Sequence, residues 1–420
     1  METRLNAVFE AAVDSKKVSG VGGIVLNKDG NVLWKGSFGP TNILDPSSAP
    51  FTVDTPFLVF SCTKLVTSIL ALQFLEEGKL KLEDPVEKYE PEFAKLQILE
   101  GFDADDKPET RPPKAKATIL NLMTHTSGLS YDFLDPVLMK WRVANGQQPA
   151  QTMTVGTKNV YQTPLVFEPG EKYAYGLGVD WLGFVLEAIS GKKLAELVEE
   201  RIIKPLQLKN TGPRFVDGQT YMAVHVRGED GSLISAPDLK PLDNPEVRGG
   251  GEFLVSTLRD YSQILLPLLN GGEHPILKVR ILKPETVQNY LFTDLITPIT
   301  RDISGIGRIG SVLPYLCSSG ELLPGVKKTW SAGLLLNEED NKLGRKAGSG
   351  CWAGVSNSYY LVDPASGKLA FFTSSIIPFL DPESLHLWDE MERAMYGHEA
   401  KKTFGEAGGN HGPWSQTASL

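Results

Sequence analysis

The chain has 420 residues, 41% of them hydrophobic and 22% charged, enough for one large domain or two lobes around a buried core. Its formal net charge of −9 excludes the basic face of a non-specific nucleic-acid binder. The three cysteines, Cys62, Cys317 and Cys351, are too few, and odd in number, for a disulfide framework, and predict a reducing compartment.

No stretch approaches the ~20 apolar residues of a membrane span. The start, Met1-Glu2-Thr3-Arg4-Leu5, lacks the apolar run of a signal peptide. The expected location is therefore cytoplasmic, with no membrane partner.

In chain order, Leu5, Val8, Phe9, Ala12 and Val13 recur at helical spacing and predict an amphipathic opening helix. Gly22 to Gly39 reads as a hairpin, with arms Gly23–Leu26 and Val32–Trp34 about the turn Asn27-Lys28-Asp29-Gly30. A short apolar run, Thr55 to Phe60, leads into Ser61. From there Leu65, Ile69, Leu72 and Leu75 predict a helix that stops at Gly78. The charged, proline-containing stretch 103–116 predicts a surface loop. Helices are predicted over Ile119–Met123, Asp180–Ile189 and Leu194–Ile203, and residues 204–250 read as irregular. Leu254–Leu269 and Pro284–Phe292 read as further helices. Strand signals return at Trp330–Leu336, Ser358–Val362 and Leu369–Ser375. A helix over Asp381–Tyr396 closes the pattern, and the glycine-rich stretch after Gly397 reads as a mobile tail.

Strand formers thus sit at both chain ends and helices fill the middle. The expected fold is α/β (α+β), a single domain over 1–420. One antiparallel sheet built from both ends is flanked by helices (1–75 and 325–400), with a mostly helical lobe inserted over 76–324 and a tail over 401–420. The interface between the lobes is the natural place for chemistry.

Ser61-Cys62-Thr63-Lys64 is an S-x-x-K motif. Positions i and i+3 share a helix face, so the ammonium can sit beside the hydroxyl. A helix N-terminus favours developing negative charge there, and a lysine withdrawn from water has a lowered pKa and can serve as a base. About one such match arises by chance in a chain this long. A second one, Ser190-Gly191-Lys192-Lys193, lies where a helix ends and reads as structural. The bland alternative for Ser61 itself is a helix cap.

Two further segments carry candidate groups. In Phe167-Glu168-Pro169-Gly170-Glu171-Lys172-Tyr173-Ala174-Tyr175-Gly176, either tyrosine could shuttle a proton, and either could simply cap the helix that follows. Gly348-Ser349-Gly350-Cys351-Trp352-Ala353-Gly354 lets the backbone approach a ligand, with an N–H as oxyanion donor and Trp352 as a pocket wall. A glycine-rich turn with a packed indole is its bland reading. His125, in Thr124-His125-Thr126-Ser127-Gly128-Leu129, has no carboxylate or metal-ligand partner at useful spacing and reads as structural. No H-E-x-x-H, G-x-S-x-G or P-loop motif is present, and no metal or organic cofactor is implied.

In this order, over nearly the whole chain, these segments resemble the serine β-lactamase-like family. That family includes class C β-lactamases, penicillin-binding peptidases and family VIII esterases. The carriers are Ser61-x-x-Lys64, the turn Leu122-Met123-Thr124-His125-Thr126-Ser127-Gly128-Leu129, and Pro169-Gly170 with its tyrosine. The resemblance implies the β-lactamase/transpeptidase-like fold. The family's Tyr-x-Asn motif, counted from Gly170, falls on Tyr175, with Leu177 where the asparagine belongs. The Lys-Thr-Gly region falls on Gly348-Ser349-Gly350, without its cation. Both departures argue against β-lactam hydrolysis and peptidoglycan cleavage.

Tyr175 to Gly183, with Trp352, is similar to a fungal branch of acyltransferases that act on statin-type polyketides. The resemblance implies that Ser61 takes the acyl group while Lys64 and Tyr175 handle the proton. It places Trp352 at the pocket edge and makes the oxyanion hole from the backbone of Ser61 and of the stretch Gly350, Cys351, Trp352. The implied partners are a small-molecule acyl donor and an alcohol acceptor. A thioester donor would bring an acyl-carrier domain or a coenzyme A-type thiol. The alternatives are a carboxylesterase or β-lactamase-type hydrolase, and a non-catalytic binding protein of this fold.

Overall fold

The computed structural model describes residues 1–399, so the expected mobile tail lies outside the described residues. The opening helix α1 spans Glu2–Asp14 and buries Leu5, Phe9 and Ala12. The predicted hairpin forms as β1 (Val21–Asn27) and β2 (Val32–Phe38). Five late strands join it: β3 (Lys328–Trp330), β4 (Leu335–Asn337), β5 (Gly350–Gly354), β6 (Ser358–Asp363) and β7 (Lys368–Thr373). The result is one seven-stranded sheet in the order β3-β4-β5-β6-β7-β1-β2. All its pairings are antiparallel, and β1 lies against β7 with Gly23 opposite Phe372.

Both faces of this sheet are covered. Neighbouring residues of a strand point to opposite faces. A Cβ on Gly22 would meet Leu258 at 3.0 Å, while one on Gly23 would meet Met391 Sδ at 2.4 Å. Helix α4 (Leu258–Leu265) therefore covers one face, and helix α5 (Pro382–Met395), packed beside α1, covers the other. Gly23→Ala would drive a methyl group into Met391 and cost ~1–3 kcal/mol as overpacking. The buried ion pair Arg345–Glu392, at 2.7 Å, ties the loop before β5 to α5.

Between the two halves of the sheet the chain is mostly helix and loop. Helix α2 (Thr63–Glu76) buries eleven residues, Thr63–Leu72 and Phe74. The predicted helix is thus a central one, apolar nearly all round. Helix α3 (Gly178–Ser190) packs against it.

Several expectations change. Trp330–Leu336 is two strands folded about residues 331–334, because Gly333 and Ser331 make a turn there. The irregular stretch 204–250 contains the paired strands Val224–Arg227 and Leu233–Ala236, whose short alternation was masked by surrounding Pro and Asp. Residues 103–116 include a strand, Pro108–Arg111, paired with Ile98–Phe102. The predicted helix Leu254–Leu269 starts late, after the short strand Val255–Ser256. The segment Gly350–Gly354 is an interior strand, not a turn. The helix Pro136–Ala144 was not expected from the sequence. No helix among the described residues is long and apolar enough to cross a membrane.

Candidate active site

Ser61 sits on a tight turn, Phe60–Cys62, that runs directly into α2. The strand Phe57–Leu58 reaches it after pairing with Val255–Ser256. Phe60 adopts φ +43°, a left-handed conformation that costs a non-glycine residue of order 1–3 kcal/mol. Surrounding bonds hold it there. Tyr261 donates to the carbonyl of Cys62 at 2.7 Å, and Thr63 Oγ1 accepts from the Leu254 N–H at 3.2 Å.

One helical turn on, Lys64 Nζ lies 3.2 Å from Ser61 Oγ. It also donates to Tyr131 Oη at 2.9 Å and to the Gly251 carbonyl at 3.1 Å. Burial pulls its pKa down, but the neighbouring Tyr175, Asp180 and Glu252 outweigh burial, and the net direction is up. The expectation of a lysine whose pKa is lowered by withdrawal from water is therefore corrected, because Tyr175, Asp180 and Glu252 together outweigh that effect.

Tyr175 resolves the competition between the two tyrosines. It lines one pocket with Ser61 and Trp352, and its hydroxyl accepts from Trp352 Nε1 at 3.1 Å. Lys64 Nζ stands 4.9 Å from the centre of its ring. Tyr173 lies behind, packed on His125 and Trp330. Its buried hydroxyl has no hydrogen-bond partner among the described residues. His125 is a structural residue. It is fully buried, its backbone carbonyl accepts from Ala174, and burial, reinforced by Lys64, holds its imidazole well below the ordinary range.

Of the third-motif residues, Trp352 reaches the pocket of Ser61, followed by Ala353, Gly354 and Val355. Gly350 and Cys351 do not. Gly350 pairs with Leu336 and Val362 inside the sheet, and Cys351 packs toward Arg345 and Trp388. Pairing with β4 ends at Cys351, so the edge of β5 beyond it is left free on that side. A Cβ on Gly354 would meet the Val59 carbonyl at 2.4 Å, which places this edge against the approach to Ser61. Burial pushes the Cys62 and Cys351 thiols upward, which disfavours nucleophilic thiolates at both positions.

The remaining pocket wall is apolar, made by Phe133, Leu134, Ile309, Val355 and Phe379. Such a surface suits a hydrocarbon acyl chain better than a substrate carboxylate. No cluster of three or more His, Cys, Asp or Glu among the described residues could hold a metal ion.

Tyr131, Asp180 and Glu252 were missed by the sequence reading. Asp180 had a signal, as an acid near the start of the otherwise apolar run Gly178–Leu186. Tyr131 follows the Ser-Gly-Leu turn by two residues, which no spacing rule marks.

This sheet, with a serine on the turn into a buried helix and a lysine one turn on, defines the class of β-lactamase and transpeptidase-like proteins. The chain belongs to the Beta-lactamase family, whose model matches residues 5–376. It is 32% identical to a lovastatin esterase of Penicillium rubens, over 68% of this chain and 71% of the relative. It is 28% identical to a monacolin J acid methylbutanoyltransferase of Aspergillus terreus, over 93% of this chain and 95% of the relative. The solved structure of a simvastatin synthase mutant from Aspergillus terreus superposes with a TM-score of 0.80 at 28% identity, covering 94% of this chain and 96% of that one.

Proposed function

We propose that the protein is a serine acyltransferase that moves an acyl group from an ester or thioester onto a hydroxyl of a polyketide-like small molecule. The observation that carries this reading is the meeting of Ser61, Tyr175 and Trp352 in one apolar pocket, with Lys64 at 3.2 Å from Ser61 Oγ.

Ser61 Oγ attacks the carbonyl carbon of the donor. Its proton passes to Tyr175 Oη as Tyr175 hands its own phenolic proton toward the leaving group; the tyrosine oxygen already accepts from Trp352, and negative charge developing on it is stabilised by the Lys64 cation. The oxyanion is held by the Ser61 N–H and an N–H of the free edge beyond Cys351. The bond to the leaving alcohol or thiol breaks, and the leaving group takes the proton from Tyr175. In the second half the acceptor hydroxyl attacks the acyl-enzyme, its proton passes to Tyr175 Oη as Tyr175 gives its own phenolic proton to Ser61 Oγ, and the new ester leaves.

The names of the relatives include both an esterase and a transferase, so water is the competing acceptor. A thioester donor would come from an acyl-carrier domain or a coenzyme A-type thiol. The working location is the cytoplasm.

Intact-protein mass spectrometry with a short acyl thioester tests the reading. The expected result is a gain of one acyl mass, absent in Ser61→Ala and discharged faster by added alcohols than by water. Equal discharge in water alone identifies a hydrolase. No adduct with thioester or p-nitrophenyl ester refutes the serine assignment.

A further inference from the structure

The hydrogen bonds behind Lys64 form a closed ring. Lys64 Nζ donates to Tyr131 Oη at 2.9 Å, and Tyr131 donates onward to Asp180 Oδ2 at 3.1 Å. The other carboxylate oxygen, Oδ1, accepts from the Gly251 N–H at 2.9 Å. The Gly251 carbonyl then accepts from Lys64 Nζ at 3.1 Å.

An ammonium has three protons, and here each has a direction. A carbonyl cannot donate back, so the proton toward Gly251 is fixed. Tyr131 spends its own proton on Asp180, so it can only accept from Lys64. The third proton alone faces groups able to give or take one, Ser61 Oγ at 3.2 Å and the Tyr175 hydroxyl beside it.

The backbone is built to close this ring. A Cβ on Gly251 would meet Lys64 Nζ at 2.7 Å and Asp180 Oδ1 at 2.8 Å. One on Gly249 would meet Asp180 Oδ1 at 2.3 Å, and one on Gly250 the Val179 carbonyl at 2.3 Å. Glycine is thus the residue that fits at each of three successive positions, because the strap passes against the first turn of α3 and the tip of Lys64. Thr67, one turn along α2 from Lys64, holds the strap by donating to the Gly250 carbonyl at 2.7 Å.

We propose that Tyr131 and Asp180 are positioning residues for acyl transfer: the ring they form with Gly251 pins two protons of the Lys64 ammonium and aims the third at Ser61 Oγ. This rests on Ser61 being the nucleophile. Asp180 supplies the balancing charge as well as the geometry. The other titratable groups facing Lys64 are Tyr175 and Glu252, which raise its pKa, and Cys62 and His125, which feel its charge. Asp132 acts one step removed, through Glu252.

The test is the rate of Ser61 acylation by p-nitrophenyl acetate, followed by intact mass, which needs no acceptor alcohol. Tyr131→Phe is expected to lower this rate at least tenfold at every donor concentration, with little change in the apparent KM and a cooperative melt retained. Asp180→Asn keeps the amide oxygen for Gly251 but removes the charge. It is compared with the wild-type residue at 180 in a Glu252→Gln background, so that Glu252 cannot ionise in compensation. There the alkaline fall of the acylation rate is expected to move down by one pH unit or more.

Acylation at the parent rate in Tyr131→Phe overturns the proposal, whether or not Asp180→Asn folds. So does a folded Asp180→Asn enzyme slowed by one factor at all pH values. Wild-type protein that is acylated but passes nothing to alcohols sinks the transferase reading and leaves this one standing. Wild-type protein that is never acylated on Ser61 sinks both.

Discussion

The two sides of Ser61 are built on opposite principles. Toward the helices, Lys64, Tyr131, Asp180 and Gly251 exchange directed hydrogen bonds between 2.9 and 3.1 Å in a closed circuit. Toward the sheet edge, Tyr175, Trp352, Trp330 and His125 meet ring against ring. Trp352 stands 4.6 Å from Trp330 at 88°, and Tyr175 lies 4.8 Å from both Trp352 and His125. A bond from Trp352 Nε1 to Tyr175 Oη links that aromatic cluster to the chemistry. The helix side fixes where a proton points. The sheet side fixes where a ring stands and gives the pocket an apolar wall. The residues that line the pocket on this side are aromatic, apolar or small and include no charged group.

The comparison breaks most completely at Lys64. Lys64→Ala removes the donor to Ser61 and leaves Asp180 buried without its counter-charge. Acylation is expected to fall ~10²–10⁴-fold. Stability should fall by ~3–5 kcal/mol, the cost of stripping one partner from a buried charge pair, read by urea denaturation. Loss of rate with no loss of stability would show that Asp180 does not depend on Lys64. The tyrosines come next. Tyr175→Phe is expected to cost acylation ~10²–10⁴-fold. Tyr173→Phe should leave the rate within about threefold and raise the Tm slightly, since it deletes a buried hydroxyl that has no partner. The reverse order would show that the motif is misregistered by two residues. Trp352→Phe keeps the apolar wall and removes the bond to Tyr175 Oη. A loss of about three- to tenfold in acylation, the worth of one hydrogen bond, is expected at unchanged stability.

The sequence was most informative where pattern and chemistry coincide. The terminal hairpin, the strands at 358–363 and 368–373 and α5 follow from apolar and aromatic runs, helical spacing and turn residues. The Ser61–Lys64 spacing follows from helix geometry alone. The helix side of the site was illegible for a definite reason. Its ring is closed by contacts 49 to 187 residues apart in sequence, and no local period records a meeting of that range. The glycine run 249–251 stood in a stretch that read as irregular, because glycine looks the same in a loop and in a strap that must pass under a lysine. The third motif left two readings open, a backbone donor beside a ligand and a glycine-rich turn. Gly350–Gly354 is a strand within the sheet, where Cβ atoms would strike Leu334 and Val59. The charge of Lys64 was misjudged because burial was visible in the apolar helix while Asp180 and Glu252 were not.

The smallest effect tests the one loose end on the ordered side. Glu252 neighbours Asp180 and Lys64, and its Oε1 is buried with no hydrogen-bond partner among the described residues. Burial, with repulsion from Asp180, pushes its pKa up to about 8 from an ordinary 4.5. Between those two values the folded protein keeps a proton that the unfolded chain has released. Stability contributed by this group is therefore full below pH 4.5, declines as pH rises, and is lost once the pH passes about 8. Glutamine has the same shape and no charge to lose, so Glu252→Gln should melt close to the wild-type Tm at pH 5 and progressively above it toward pH 8. A constant difference in Tm between pH 5 and pH 8 would mean that Glu252 is ionised throughout. The polar side would then carry two carboxylates against one ammonium, and Lys64 would be held by charge as much as by the directed bonds of the ring.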